Sequence, residues 1–174
     1  TLYSVISSRG CPFRCEFCLS ALDRQVRTFP EEPLHRAIDD LMARGARRIK
    51  FVDRTFNLDG RRCVRLLEHL GRHLRTRRAA LHFEIVPDHL PNALKEAIDG
   101  LPPGCLQLEA GIQSFSTEVN ARVARHQRLE RACANLRWLV ERGVDVHADL
   151  IAGLPGEGLE SFAEGFDRLF ALAP

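Results

Sequence analysis

Five short apolar runs alternate along the chain with longer segments whose apolar residues recur three and four positions apart, and this alternation restricts the possible folds more than any other feature. The runs at 2–7, 48–52, 81–86, 105–109 and 144–151 are rich in Val, Ile, Leu and Phe and close on a polar residue, Gly or Pro, as strands do. Between them, Leu34, Ile38 and Leu41 form one helical stripe. Leu66, Leu67, Leu70 and Leu74 form the next, behind a capping candidate at Asp59. Ala93, Leu94, Ala97 and Ile98 mark a short third helix begun by Pro91. Cys133, Leu136 and Val140 mark a fourth, ended by Gly143, and Phe162, Phe166 and Leu169 mark a fifth.

Strand–helix units in series need crossover connections, which make neighbouring strands parallel and put the helices outside. Crossovers are right-handed almost without exception, so the sheet curls toward a barrel or a doubly wound sheet. Long loops after the first, second and fourth runs, and no Gly-rich dinucleotide loop after the first, favour the barrel. A complete eight-unit barrel takes roughly 250 residues. The 174 residues here therefore predict an α/β fold, a partial (open) TIM-like (βα) barrel of about five units forming one domain over 1–174. The chain opens at Thr1 without Met and stops at Pro174 after a helical pattern, which reads as a core truncated from a longer protein.

Composition narrows the function classes. No apolar run approaches the roughly 20 residues of a membrane helix, and no basic-then-apolar leader follows Thr1. A net charge of +2 gives no support to a nucleic-acid partner. The densest basic stretch, from Arg72 to Arg78, suits the last turn of a helix, where the dipole favours cations.

Six cysteines are present, at 11, 15, 18, 63, 105 and 133. Cys63, Cys105 and Cys133 stand alone at apolar positions and read as small buried hydrophobes. The other three fall within Ser8-Arg9-Gly10-Cys11-Pro12-Phe13-Arg14-Cys15-Glu16-Phe17-Cys18, directly after the first strand, where a βα barrel has its catalytic mouth. A cytoplasmic chain of this size needs no disulfides, so clustered cysteines point to metal. Spacings of four and three let three thiolates wrap a cubane [4Fe–4S] cluster from one loop, leaving one iron without a protein ligand. A structural zinc site would require a second Cys or His pair, and His35 stands alone. A redox dithiol at Cys15 and Cys18, or three buried structural cysteines, would leave Cys11 or the spacing unexplained.

These residues resemble the radical S-adenosylmethionine (SAM) superfamily, in which C-x3-C-x2-C follows the first strand with an aromatic, here Phe17, before the third Cys. Two further blocks match the branch containing oxygen-independent coproporphyrinogen oxidase, the tRNA methylthiotransferases and the Elongator catalytic subunit. They are Glu109-Ala110-Gly111-Ile112-Gln113-Ser114-Phe115, followed by Arg125-His126, and Asp149-Leu150-Ile151-Ala152-Gly153-Leu154-Pro155-Gly156-Glu157. Ser8-Arg9-Gly10-Cys11-Pro12 and Phe51-Val52-Asp53-Arg54-Thr55-Phe56-Asn57 look most like radical SAM proteins that carry a cobalamin-binding domain ahead of this core.

The resemblance implies a reaction. SAM chelates the open iron, one electron splits its sulfonium C–S bond, and the products are methionine and a 5′-deoxyadenosyl radical that takes hydrogen from a substrate the sequence does not name. It also implies a one-electron reductant such as flavodoxin or ferredoxin, and cobalamin held by a domain outside this chain. The alternatives are a tRNA-modifying methylthiotransferase-type core and a non-catalytic electron-transfer or zinc-binding module.

By the same resemblance, Glu84 faces the SAM amino group and Arg125 clamps its carboxylate with two parallel hydrogen bonds. Gln113 and Asp149 hydrogen-bond the ribose or the methionyl end, while Phe17 and Ile151 pack near the adenine. Glu109 closes the fourth strand beside them. Relatives often have a Gly-rich stretch after the second strand, where this chain has Asp53, Arg54 and Thr55. That leaves two roles open: Asp53 supplies a carboxylate for the SAM ammonium, or the segment faces the substrate.

Overall fold

The computed structural model describes residues 1–172. Strand β1 (Leu2–Val5) is followed by β2 (Ser8–Arg9), a 3-10 turn at Leu19–Leu22, and β3 (Arg27–Thr28). Then come α1 (Glu31–Ala43), β4 (Arg48–Phe51), a second 3-10 turn at Phe56–Leu58, α2 (Gly60–Leu74), β5 (Ala80–Ile85) and α3 (Asn92–Asp99). The chain continues through β6 (Leu106–Gln113), α4 (Thr117–Arg122), α5 (Leu129–Glu141), β7 (Asp145–Leu150) and α6 (Leu159–Phe170). The main sheet has the order β1-β4-β5-β6-β7 with every pair parallel, so five βα units form an open α/β sheet with no barrel closure among the described residues.

Strand alternation divides the sheet into two unlike faces. Ile49, Phe51, Leu81, Phe83, Leu108, Ala110 and Ile112 are all buried under the helices. Phe83 stacks on Phe51 at 4.5 Å and on Phe56 at 4.0 Å, fixing the middle of that core. The other face carries Lys50, His82, Glu84, Gln107, Glu109 and Gln113, all partly accessible. A polar inner face is compatible with folding because the apolar layer lies wholly on the helix side.

All five predicted helices form, and the Asp59 carboxylate accepts from Arg62 N at the start of α2 as a cap should. Gly143, at φ 69, closes α5. Three features differ from expectation. Strand β6 runs four residues past Glu109, through a register shift between Gly111 and Gln113. The ribbon of β2 and β3 and the six-residue α4 were not anticipated, because neither is long enough to show a period.

Candidate active site

The cysteine loop is an excursion between the two strands of the small ribbon. Ser8 pairs with Thr28 and Arg9 with Arg27, so the loop leaves and returns at one neck. Gly10 sits just inside it at φ +90, and a Cβ there would lie 2.2 Å from the Gln25 carbonyl, so only glycine fits. Cys11 N then donates to Asp23 O at 2.9 Å. At its tip the loop is tied to α4 by Glu16 N donating to Val123 O at 3.0 Å.

Two buried charged residues hold the neck from below. Asp53, 1% exposed, accepts from Ser7 N at 3.0 Å, from the Ser7 hydroxyl at 2.8 Å and from the Ser8 hydroxyl at 2.5 Å. Arg62 donates to the carbonyls of Phe29 and Ser7, which lie on either side of the neck. Asp53 therefore does not reach the site as a free carboxylate. Strand alternation explains why: it lies two residues beyond Phe51 and shares that residue's inward parity, while Arg54 shares the open side with Lys50. Arg62 gave no sequence signal, being an ordinary helix arginine.

At the C-terminal ends of the strands lies a cavity of about 190 Å³. Cys11, Cys15, Cys18, Phe17, Arg54, Thr55, Glu84, Glu109, Gln113, Arg125 and Asp149 all line it, so eleven of the thirteen expected site residues come together. Asp53 is one exception. Ile151 is the other: it packs against the small cluster of Val119, Val123 and Leu154 beneath α4 and does not line the cavity. Strand alternation ends at Leu150, so the direction of Ile151 is set by α4, which the sequence did not reveal. Asp88 and Gln127 line the cavity without having been singled out, as does His126, which was matched beside Arg125 but given no role.

The only two non-glycine residues with left-handed backbone among those described, Gln113 (φ 70) and Ala124 (φ 51), flank this cavity. Such conformations cost about 1–2 kcal/mol each and concentrate at functional sites. At Gln113 the side chain folds back over Gly111, where a Cβ would meet Gln113 Nε2 at 2.3 Å. At Ala124 the chain closes α4 with Ala124 N donating to Ala121 O and Arg125 N donating to Asn120 O. That turn throws Arg125 back across the cavity. Its guanidinium donates to Gly111 O and to Gln127 Oε1 at 2.9 Å, and its third nitrogen lies 3.8 Å from Cys15 Sγ.

The carboxylates are partly balanced from the same face of the sheet. Arg54 Nη1 lies 3.3 and 3.2 Å from the two oxygens of Glu84. Glu109 meets His82 at 3.0 Å and Lys50 at 3.5 Å, and Asp149 meets His147 at 3.0 Å. Burial pushes the Glu109 carboxyl up, but the hydrogen bond with His82 and the Lys50 charge outweigh it and hold the group below its ordinary value. Burial likewise raises the Cys11 thiol; the Phe13 backbone and Arg125 oppose this without cancelling it. A bound cation would reverse that balance and make thiolates of the three sulfurs.

Thr55 Oγ1, Gln113 Oε1 and Gln127 Nε2 are buried in the cavity wall with no hydrogen-bond partner in the protein. Buried polar atoms are rarely left unpaired. An acceptor amide oxygen, a hydroxyl and a donor amide nitrogen beside three thiols fit a polar, zwitterionic ligand next to a thiolate-held metal group.

The model of the family described as the radical SAM superfamily matches residues 5–169. An uncharacterized methyltransferase of Pyrococcus horikoshii is 25% identical over 162 residues, covering 90% of this chain and 34% of that protein. A tRNA-2-methylthio-N(6)-dimethylallyladenosine synthase of Chlorobium limicola is 29% identical over 160 residues, covering 86% of this chain and 35% of that one. The chain thus spans about a third of the length of these relatives. Among solved structures, the radical SAM methyltransferase TsrM of Kitasatospora setae superposes with a TM-score of 0.85 at 21% identity, over 98% of this chain and 34% of that one. TsrM has been solved with tryptophan and a SAM analogue bound, and with cobalamin and a [4Fe–4S] cluster bound.

Proposed function

The chain belongs to the radical SAM superfamily, and from that membership we propose that Cys11, Cys15 and Cys18 hold a [4Fe–4S] cluster and that the adjoining cavity receives SAM. The observation that carries this reading is the convergence, in one cavity, of three thiols from a single anchored loop with three unpartnered buried polar atoms. When bound, the cofactor pair supplies reductive cleavage of a sulfonium C–S bond and a radical able to take hydrogen from a substrate.

The residues of this chain place and screen that pair. The Arg125 guanidinium, already oriented by Gly111 O and Gln127, offers its thiol-side edge to a carboxylate. Glu84 faces an ammonium, with Arg54 holding its orientation from the exposed side. Gln113 Oε1 and Asp149 accept from ribose hydroxyls, Thr55 Oγ1 and Gln127 Nε2 complete the polar lining, and Phe17 covers an adenine face. Glu109, fixed by Lys50 and His82, presents a charge deeper on the inner face, toward the substrate. Asp53 and Ile151 support the site without touching the ligand.

A one-electron donor such as flavodoxin or ferredoxin would approach the exposed Cys18 corner. A cobalamin-binding domain ahead of Thr1 accords with the likeness to TsrM. Among the described residues no helix is long and apolar enough to cross a membrane. An air-sensitive cluster calls for a reducing compartment, the cytoplasm. The tRNA methylthiotransferase relative supports a second reading, a core of that type. A second cluster would then need ligands outside this chain, since Cys63, Cys105 and Cys133 are buried separately in α2, before β6 and in α5.

Anaerobic reconstitution with iron and sulfide, followed by SAM and a reductant, tests the proposal. About four irons per chain and formation of 5′-deoxyadenosine with methionine are expected. Replacing Cys11, Cys15 or Cys18 by Ala should remove the iron, whereas Cys63, Cys105 and Cys133 should be replaceable. Stoichiometric zinc with no iron uptake would overturn it.

A further inference from the structure

On the outer layer, His69 and His73 stand one turn apart on α2 and face Asp39 of α1. Asp39 Oδ1 lies 2.8 Å from His69 Nε2 and 2.6 Å from His73 Nε2. All three ligand-capable atoms fall within 4.8 Å of one another. Helices in this fold run back against their strands, so these C-terminal halves of α1 and α2 lie toward the strand N-termini that follow them, Arg48 and Ala80. The cluster is therefore at the opposite end of the sheet from the cysteine cavity, and nothing in the proposed chemistry uses it.

From this geometry we infer that Asp39, His69 and His73 form a second metal site, taking a borderline divalent transition ion of which Zn²⁺ is the natural probe. Histidines at i and i+4 on one helix face present two imidazoles to one ion, and two imidazoles with one carboxylate is an established zinc donor set. Bonds of about 2.0–2.2 Å in a tetrahedron hold donor atoms about 3.4 Å apart. The Asp39 contacts are shorter than that, so an ion enters by moving the partly exposed Asp39 and His73 side chains outward by less than about 1 Å. The fourth position faces water.

Two neighbours set the conditions. The His35 ring stacks on His69 at 4.1 Å and keeps its plane fixed. Arg72 Nη2 lies 2.6 Å from His69 Nδ1. Donation from Arg72 requires a bare Nδ1 and puts the ring proton on Nε2, the atom an ion must occupy. Binding therefore moves the His69 proton to Nδ1 and displaces the exposed Arg72 side chain. Arg72 is a built-in competitor, and the bound ion would staple α1 to α2 across their outer surface.

The test is equilibrium dialysis of the cluster-loaded protein against Zn²⁺ under anaerobic conditions, with metal counted alongside iron. One zinc per chain beyond the cluster iron is expected, with its dissociation constant raised at least tenfold by His73→Gln and by Asp39→Asn. Both replaced side chains are partly exposed, and unchanged circular dichroism without metal shows that the variants fold. Arg72→Ala should tighten binding several-fold, which a purely structural His–Asp contact would not do. A variant with Cys11, Cys15 and Cys18 all changed to Ser should keep the zinc. No zinc beyond the cluster, wild-type affinity in both ligand variants, or zinc lost only with the cysteines would each overturn the assignment.

Discussion

The Ser7 hydroxyl donates to Asp53 Oδ1 at 2.8 Å in the protein interior, and through this bond the end of β4 fixes the start of the cysteine loop. The Ser7 amide and the Ser8 hydroxyl bind the same carboxylate. Removing it leaves three donors without an acceptor, and an unsatisfied buried group costs about 1–3 kcal/mol. Asp53→Ala should therefore lose about 2–4 kcal/mol of stability and load cluster poorly, although Asp53 does not line the cavity. Iron content after reconstitution and denaturant unfolding of the same preparation measure both. Full loading with unaltered stability would show that the loop does not depend on this anchor.

Arg125 spans the cavity from Cys15 to Gly111 and Gln127. Arg125→Ala should weaken SAM binding by about 2–4 kcal/mol, because a carboxylate loses a charged partner in a partly buried site. Iron content should stay the same. Arg125→Lys should not restore the affinity, since a single ammonium cannot reach Gly111 O, Gln127 and a ligand at once. Calorimetric titration with SAM decides between these outcomes.

Ala124 ends α4 in a position that glycine usually fills. Ala124→Gly removes the left-handed strain and gives back part of the gain as chain entropy, for a net stabilisation of about 0.5–1 kcal/mol. A rise of about 2 °C in melting temperature is expected for a domain of this size, with SAM affinity unchanged. A fall would mean that the methyl group contributes packing that outweighs the strain.

The Glu109 carboxyl is held below its unfolded value of 4.5 by His82 and Lys50. A depressed carboxyl contributes stability that is complete above the unfolded value and vanishes as pH falls through the lower folded one. The part of the stability difference between wild type and Glu109→Gln that comes from this carboxyl charge should accordingly be present just above about pH 5 and fall away as pH drops through the lowered folded value. Pairs this accessible contribute at most about 1 kcal/mol, so paired melts at closely spaced pH values are the suitable measurement.

Strand period and motif spacing together made most of the site legible. The alternation that buries Phe83 places His82 and Glu84 on the open face, and the family-like block from Glu109 to Phe115 singled out Gln113, which closes β6. The two residues that do not line the cavity lie just past strand ends, Asp53 after β4 and Ile151 after β7, where direction depends on what packs beneath. For Asp53 that is the loop neck, built by a ribbon of two-residue strands; for Ile151 it is α4. Both partners are too short to leave a periodic trace. In the Asp39–His69–His73 cluster the two histidines, four positions apart on α2, are legible as a pair, but Asp39 lies on another helix, 30 and 34 positions away, and gives no sequence signal.

The cysteine loop is pinned at its neck to β4 and α2 and at its tip, through Glu16, to α4. Beyond Glu16 the loop is a largely exposed stretch. Here that stretch runs past Cys18 to Leu19 and Leu22, both 84% exposed. Cys11 and Cys15 are buried close to the fixed points, while Cys18 is exposed on the span between them. A metal group held by the three sulfurs, as proposed, would meet dissolved oxygen or a competing thiol first at its Cys18 corner, and oxidative decay of the site should begin there.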